Sequence, residues 1–202
     1  MASVPTRIHS RPLTVAGYEI ERQWRARPNL HLPSRIGPWS AVDGHYDRLV
    51  DTYYDTRDLL LDGRRARLRL RRAATYEVAT LKRRVTASAG LRHRIEIEGP
   101  YDGDPETSVA FVAARLLTMR PFFEIGCIVT ARTTRVYEST GRRVEVVRDH
   151  VSYPRGGDEW RVEAEGALAD VNELAELLEK LPLGLEPVRR GKVQTLLRRS
   201  AA

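Results

Sequence analysis

The sequence predicts an α+β chain that is mainly β, an antiparallel sheet with flanking helices. Three observations carry this. Seven stretches alternate apolar and polar residues with period two, and most are set off by Gly, Asp, Asn or Pro. The gaps between neighbouring stretches are short, which favours antiparallel pairing in a meander over parallel crossovers. Three other stretches repeat apolar residues at helical spacing. With 202 residues and 42% hydrophobic content, one core suffices for the chain. A single domain is expected over 14–199, behind a loose N-terminal tail over 1–13.

Taken in order, the strands are expected at 18–24 (YEIERQW), 65–72 (RARLRLRR), 76–85 (YEVATLKRRV), 92–99 (RHRIEIEG), 128–138 (IVTARTTRVYE), 142–151 (RRVEVVRDHV) and 158–166 (DEWRVEAEG). A first helix is expected from Asp104 as cap and Pro105 at its first position, with Val109, Val112, Ala113 and Leu116 on one face. Asp170 and Glu173 make a capping-box pattern ahead of Val171, Leu174, Leu177, Leu178 and Leu181. A short basic helix over about 188–199 closes the pattern. The leucine stripes read as core packing.

Composition narrows the function. Lys plus Arg number 34 against 27 Asp plus Glu, a net charge of +7, and arginine heavily outnumbers lysine. The planar guanidinium fork suits phosphate and carboxylate oxygens, so an anionic partner is the first expectation. The single cysteine, Cys127, excludes an internal disulfide and fits a reducing compartment; it reads as a buried, inert thiol. The histidines are scattered, and His45, His93 and His150 read as surface or loop residues. No apolar run has the length of a signal peptide or a membrane span, so a cytoplasmic protein with no membrane partner is expected. Neither G-x-S-x-G nor a P-loop occurs, which removes two common catalytic devices.

The strands carry the chemistry. Arg65, Arg67, Arg69 and Arg71 share one face of their strand, and Ala66, Leu68 and Leu70 share the other. Arg94, Glu96 and Glu98 oppose Ile95 and Ile97, while Arg161, Glu163 and Glu165 oppose Val162 and Ala164. Glu19 and Glu21 likewise share a face. A charged face is ordinarily the solvated side of an antiparallel sheet. Solvated sheets, however, mix Thr, Lys, Gln and Ser with charges, whereas these faces are almost wholly Arg and Glu in segregated runs. If the sheet closes with these faces inward, an eight-stranded barrel leaves room for side chains or one small ligand. Two like charges about 4 Å apart cost roughly 4 kcal/mol at an effective dielectric near 20. Converging glutamates would then need cations, for which oxygen ligands favour Mg²⁺ or Mn²⁺, and facing arginines would need dense anions. A metal-bound polyphosphate satisfies both.

These residues, in this order, resemble the CYTH superfamily, the triphosphate tunnel metalloenzymes. EIERQW resembles the opening E-x-E-x-K signature, DTYYDT (51–56) a stretch of thiamine triphosphatase-like members, GRRARLRLR the arginine strand, TLK (80–82) the lysine strand and RIEIE the central acidic strand. VEVVRD is similar to a later E-x-x-x-D element, VEAE to the late paired-glutamate strand, and Lys192 to a lysine near the C-terminal helix. The resemblance implies an antiparallel closed barrel of about eight strands forming a charged tunnel. It further implies metal-dependent hydrolysis of inorganic tripolyphosphate, thiamine triphosphate or a nucleoside triphosphate. Carried over by position, Glu19, Glu21, Glu96, Glu98, Asp149, Glu163 and Glu165 would hold Mg²⁺ or Mn²⁺. Arg67, Arg69, Lys82, Arg94, Arg132, Arg135 and Lys192 would grip phosphate oxygens, with Glu19, Glu21 and Tyr53 nearest the chemistry.

The match departs at Gln23, where the signature has lysine, and Arg22 cannot substitute because it faces the other way on a regular strand. Gly191 and Val193 also depart from the Ser-Lys-Tyr pattern around Lys192. A non-catalytic polyphosphate or nucleotide binder is therefore the nearest alternative, and adenylate cyclisation in the same tunnel a further one. A nucleic-acid-binding barrel is disfavoured, since the arginine strand alternates with leucine instead of stacking aromatics. Trp24, Trp39 and Trp160 fit either a core or a tunnel mouth.

Overall fold

A computed structural model describes residues 17–88, 91–188 and 190–200; the expected tail over 1–13 lies outside them. The elements follow as β1 (Gly17–Ala26), β2 (Arg35–Ile36), β3 (Trp39–Asp55), α1 (Leu60–Gly63), β4 (Ala66–Arg72), β5 (Glu77–Ser88), β6 (Leu91–Pro100), α2 (Val109–Thr118), β7 (Phe123–Ser139), β8 (Arg142–Ser152), β9 (Asp158–Gly166), α3 (Leu168–Lys180), β10 (Glu186–Pro187) and α4 (Lys192–Ser200). Among them no helix is long and apolar enough to cross a membrane.

Eight strands form a closed antiparallel barrel in the order β1, β6, β5, β4, β3, β7, β8, β9, and β9 returns to β1 through Glu21 opposite Glu165 and Gln23 opposite Glu163. The meander holds for β3 to β6 and for β7 to β9. It fails at β1, which slots between β6 and β9 and seals the ring. Short β2 pairs with β3, and β10 lies beside β1 at Trp24 and Arg25.

β3 is a long strand for which the alternation gives no signal. Its first half holds Asp43 and Gly44 beside a bulge, which breaks the period-two pattern. The glycine is required there, because a Cβ at Gly44 would lie 2.9 Å from the Thr134 carbonyl oxygen.

Helices cover the apolar outer faces and leave the charged faces inside. Ala66, Leu68, Ala79 and Leu81 are buried beneath Leu61 of α1 and Ala110, Phe111 and Ala114 of α2. Trp24, Val144, Val146, Val162 and Ala164 are buried beneath Val171, Leu174, Ala175 and Leu178 of α3, together with Trp39. α4 behaves differently. Its Val193 and Leu196 pack on Tyr53, Ile128 and Val151, whose parity turns them toward the barrel interior, so this helix stops one mouth of the barrel.

Two helix expectations need correction. α2 starts at Val109, and Asp104 instead organises the preceding turn, its Oδ1 accepting the Glu106 amide at 2.8 Å. The buried face is Ala110, Phe111, Ala114 and Thr118, while Val112 is exposed and Leu116 is 76% exposed. Phe111 decides the rotation, since it fills a nest of Tyr54, Tyr101 and Phe122 rings. In α3 no side chain caps the N-terminus: Asp170 and Glu173 pair with Arg142, and Leu181 sits at the C-terminal boundary.

Leu178 is fully buried between α3 and the barrel. Leu178→Ala is expected to lower unfolding free energy by about 2–5 kcal/mol, measured by denaturant titration.

Candidate functional site

Inward-facing side chains surround a cavity of about 210 Å³, lined from β1, β3 to β7, β9 and the start of α4. Three charge clusters build its wall. In the first, Glu19 of β1 accepts from Lys82 of β5 and from Arg94 of β6 at 3.2 Å, so one carboxylate ties three strands. Lys82 also lies 3.3 Å from Glu96, and Arg94 reaches Glu21 at 2.6 Å. Arg92 approaches the same Glu21 at 3.5 Å.

A second cluster spans β7, β8, β9 and α4. Arg132 grips Asp149 with two bonds of 2.8 and 2.7 Å and reaches Glu163 at 3.4 Å. Lys192 comes down from the helix to Asp149 at 2.5 Å and Glu163 at 3.0 Å. Gln23 links the first two clusters, since its amide donates to Glu21 at 2.8 Å and to Glu163 at 3.1 Å. The third cluster is Arg71 paired doubly with Asp51 at 2.7 and 2.8 Å, Arg69 at 3.7 Å from Asp51, and Thr80 donating to Glu98 at 2.9 Å. Tyr53 stands beside it on β3, opposite Arg69.

Most expected site residues meet here: Glu19, Glu21, Tyr53, Arg67, Arg69, Lys82, Arg94, Glu96, Glu98, Arg132, Glu163, Glu165 and Lys192 all line the cavity. Two do not. Arg135 has the opposite parity to Arg132 on β7 and turns to the outer face, where it lies by Tyr137. Asp149 is completely buried behind Arg132 and Lys192, not on the wall. Arg67 is paired with Asp62 of α1.

Residues not singled out as site groups also line the wall, among them Asp51, Asp62, Arg65, Arg71, Arg84 and Arg92. Arg65, Arg71 and Arg92 were legible as further members of alternating arginine faces, whereas Asp51 depended on recognising β3. Arg22 faces outward to Glu179 of α3, at 3.6 Å. Trp24 and Trp39 are core, and Trp160 stacks on His150 at 4.3 Å on the outer surface, so none closes the tunnel. His45, His93 and His150 are strand residues, and Cys127 is half-buried with its thiol pushed up by burial.

A family profile for the CYTH domain matches residues 17–198. The chain belongs to the CYTH domain family. Solved structures share the fold of this CYTH domain at low identity. HpAC1 from Hippeastrum, described as an adenylyl cyclase candidate with a dominant triphosphatase activity, superposes with a TM-score of 0.67 at 20% identity, covering 90% of this chain and 96% of that one. An adenylate cyclase candidate from Bacillus halodurans gives 0.67 at 21% identity, with 90% and 98% covered. The PH1819 protein from Pyrococcus horikoshii gives 0.53 at 20%, with 90% and 99% covered. Among curated proteins, none matches this sequence significantly.

Electrostatics in the CYTH tunnel split the carboxylates into two kinds. Burial alone would raise Glu19, but Lys82 and Arg94 outweigh it and hold the carboxyl at about 2. Burial is likewise overcome at Glu163 by Lys192 and Arg132, at Asp149 by Arg132 and Lys192, and at Asp51 by Arg71 and Arg69, all three being held low. Glu21 is instead raised by burial together with Glu19 and Glu163, against the pull of Arg94. Glu165 is pushed up to about 7, first by burial and then by Glu19, with Lys82 opposing and Glu21 and Glu145 adding to the rise. Its carboxylate faces water in the lumen yet is ringed by protein. Among the described residues, no three His, Cys, Asp or Glu side chains are already gathered as a metal nest. Arg and Lys stand between the acids.

Asp149→Asn is expected to cost about 3 kcal/mol of stability, read by thermal or denaturant unfolding, because two buried cations lose their principal partner. For Glu165, the unfolded carboxyl ionises near 4.5 and the folded one near 7, so its contribution to stability falls as pH rises through that window. Glu165→Gln should therefore gain on the native protein between pH 4.5 and 7, in denaturation midpoints taken at both ends.

Proposed function

We propose that this CYTH domain binds a triphosphate in its tunnel and hydrolyses it with the help of a divalent cation. The observation that carries the reading is the convergence of many cationic and carboxylate side chains, already paired with one another, on one small cavity. Arginines and Lys82 from β4, β5 and β6, with Glu96 and Glu98 among them, face Glu19, Glu21, Glu163 and Glu165 from β1 and β9, with Arg132 and Lys192 against Glu163. At about 210 Å³ the cavity is smaller than the roughly 300–1,000 Å³ of sites that enclose drug-sized ligands. It suits the phosphate chain, with any organic part of the substrate outside.

The acidic wall fits a hard cation. Its donors are all carboxylate oxygens, and burial first, then neighbouring like charges, raises the carboxyls of Glu21 and Glu165, a penalty that a cation would offset. Glu19, Glu21, Glu163 and Glu165 would hold Mg²⁺ or Mn²⁺, with Glu96 and Glu98 flanking. When bound, such a cation supplies Lewis-acid stabilisation of phosphoryl charge and activates water.

The chain's own groups do the rest. Arg67, Arg69, Lys82, Arg94, Arg132 and Lys192 would exchange part of their carboxylate bonds for phosphate oxygens, keeping charge-assisted geometry throughout. Because those side chains are already held by acids, little ordering remains to be done on binding. Tyr53, whose hydroxyl burial holds in the protonated form, would donate to an oxygen beside Arg69. Asp149 would act as the brace for Arg132 and Lys192.

Gln23 favours a second reading, a non-catalytic polyphosphate binder, since a neutral amide bridges Glu21 and Glu163 at the centre of the site. The assay that separates them incubates the protein and Mg²⁺ or Mn²⁺ with tripolyphosphate, thiamine triphosphate and ATP, following orthophosphate and cyclic nucleotide. Metal-dependent orthophosphate release is expected, and Arg69→Ala or Lys82→Ala should lower kcat/KM about 10²-fold. Tight tripolyphosphate binding with no release would leave the binder; no binding would remove both readings.

A further inference from the structure

A second recess lies at the mouth that α4 stops, and it shares no lining residue with the tunnel. Its charged wall is Arg25 of β1, Arg161 of β9, Arg190, Arg198 and Arg199 at α4, and a single acid, Glu186 of β10. Arg25, Arg190 and Arg198 are exposed, and among the described residues no carboxylate pairs with them. Arg199 is tethered at the rim, donating to the Gly156 carbonyl and lying over the Tyr153 ring at 4.7 Å.

The floor is the informative part. Arg161 is 1% exposed, a guanidinium taken almost wholly out of water. Its Nε and Nη2 both go to Glu159 Oε1, at 2.7 and 2.6 Å, and that same oxygen also accepts from the Tyr153 hydroxyl. With Glu159 so occupied, Arg161 Nη1 has no hydrogen-bond partner among the described residues. A buried donor left unmade is costly, and native proteins ordinarily satisfy it with a protein group, water or ligand.

We infer that this recess is a binding site for a small phosphate oxyanion, orthophosphate or pyrophosphate, separate from the tunnel. Guanidinium forks match phosphate oxygens, and a cluster of them around one acid leaves net positive charge for the anion to neutralise. The recess, about 730 Å³, admits a small hydrated anion as far as Arg161, whereas a polymer backbone or a membrane surface meets the exposed rim without reaching that floor. The bound anion joins Arg25 and Arg161 of the barrel to Arg190 and Arg198 beside the helix. It thereby fastens α4, whose Lys192 reaches Asp149 and Glu163 inside the tunnel. The inference stands whether or not the tunnel hydrolyses anything.

The test titrates orthophosphate and pyrophosphate into the full chain in metal-free, low-chloride buffer, read by calorimetry and by hydrogen exchange of the α4 amides. Arg190→Glu/Arg198→Glu changes two exposed residues of the recess; Arg69→Ala changes the tunnel alone. The native protein and Arg69→Ala should both bind anion and slow α4 exchange, and the double variant should bind about tenfold more weakly or worse without that protection. Binding lost in Arg69→Ala and kept in the double variant would assign all phosphate to the tunnel and overturn the proposal. So would the absence of phosphate binding by the native protein, and retention on RNA or anionic vesicles that the double variant loses would then assign the recess to a polyanion.

Discussion

Glu19 sets the character of this molecule. One buried carboxylate on β1 holds Lys82 and Arg94 on β5 and β6, and the same strand continues through Glu21 and Gln23 to β9. A carboxylate in that position is costly unless paired, and each of its partners is costly unless paired with it. The barrel interior is thus a set of mutual obligations, in which each strand presents charge only because its neighbours present the opposite sign. Closure of the ring by β1 is what brings the signs together.

The outer surface makes that interior affordable. Alternation puts Ala66, Leu68 and Leu70 on the opposite side from Arg67, Arg69 and Arg71, and α1 and α2 bury Ala66 and Leu68. α3 does the same for β1, β8 and β9. The usual arrangement of a small barrel, apolar inside and polar outside, is inverted, with helices in place of the core. Hydrophobic stabilisation then comes from the helix–sheet layers, leaving the lumen free for polar chemistry.

α4 connects the two regions. It packs through Val193 and Leu196 on the mouth, sends Lys192 inward to Asp149 and Glu163, and carries Arg198 and Arg199 outward. Anything that changes how firmly this short helix sits alters the cation supply of the tunnel. Its hold rests on a few apolar contacts, the two ion pairs of Lys192 and the Arg199 tether to Gly156, whereas each barrel strand is hydrogen-bonded to a neighbour on both sides.

Period-two alternation by itself determined most of the strands and the fact that each has one charged face, because side-chain direction along an extended chain is a local property, and the short gaps between strands determined their antiparallel pairing. It also made Arg92, Arg94, Glu96 and Glu98 legible as one row. Which face looks inward was not in the local pattern, since a solvated sheet would show the same alternation; the order of charged motifs resembling CYTH proteins supplied that expectation, and ring closure with helices outside decided it. β3 escaped because Asp43 and Gly44 interrupt its alternation where the backbone must approach Thr134. Arg135, expected in the tunnel from the resemblance, lies outside because it is three residues from Arg132 and so has the opposite parity on β7. The withdrawal of Asp149 behind Arg132 and Lys192, the split of carboxylates into protonation-prone and ion-paired kinds, and the orphaned Nη1 of Arg161 were decided only in three dimensions, because each depends on partners brought from distant strands and on how much water they share.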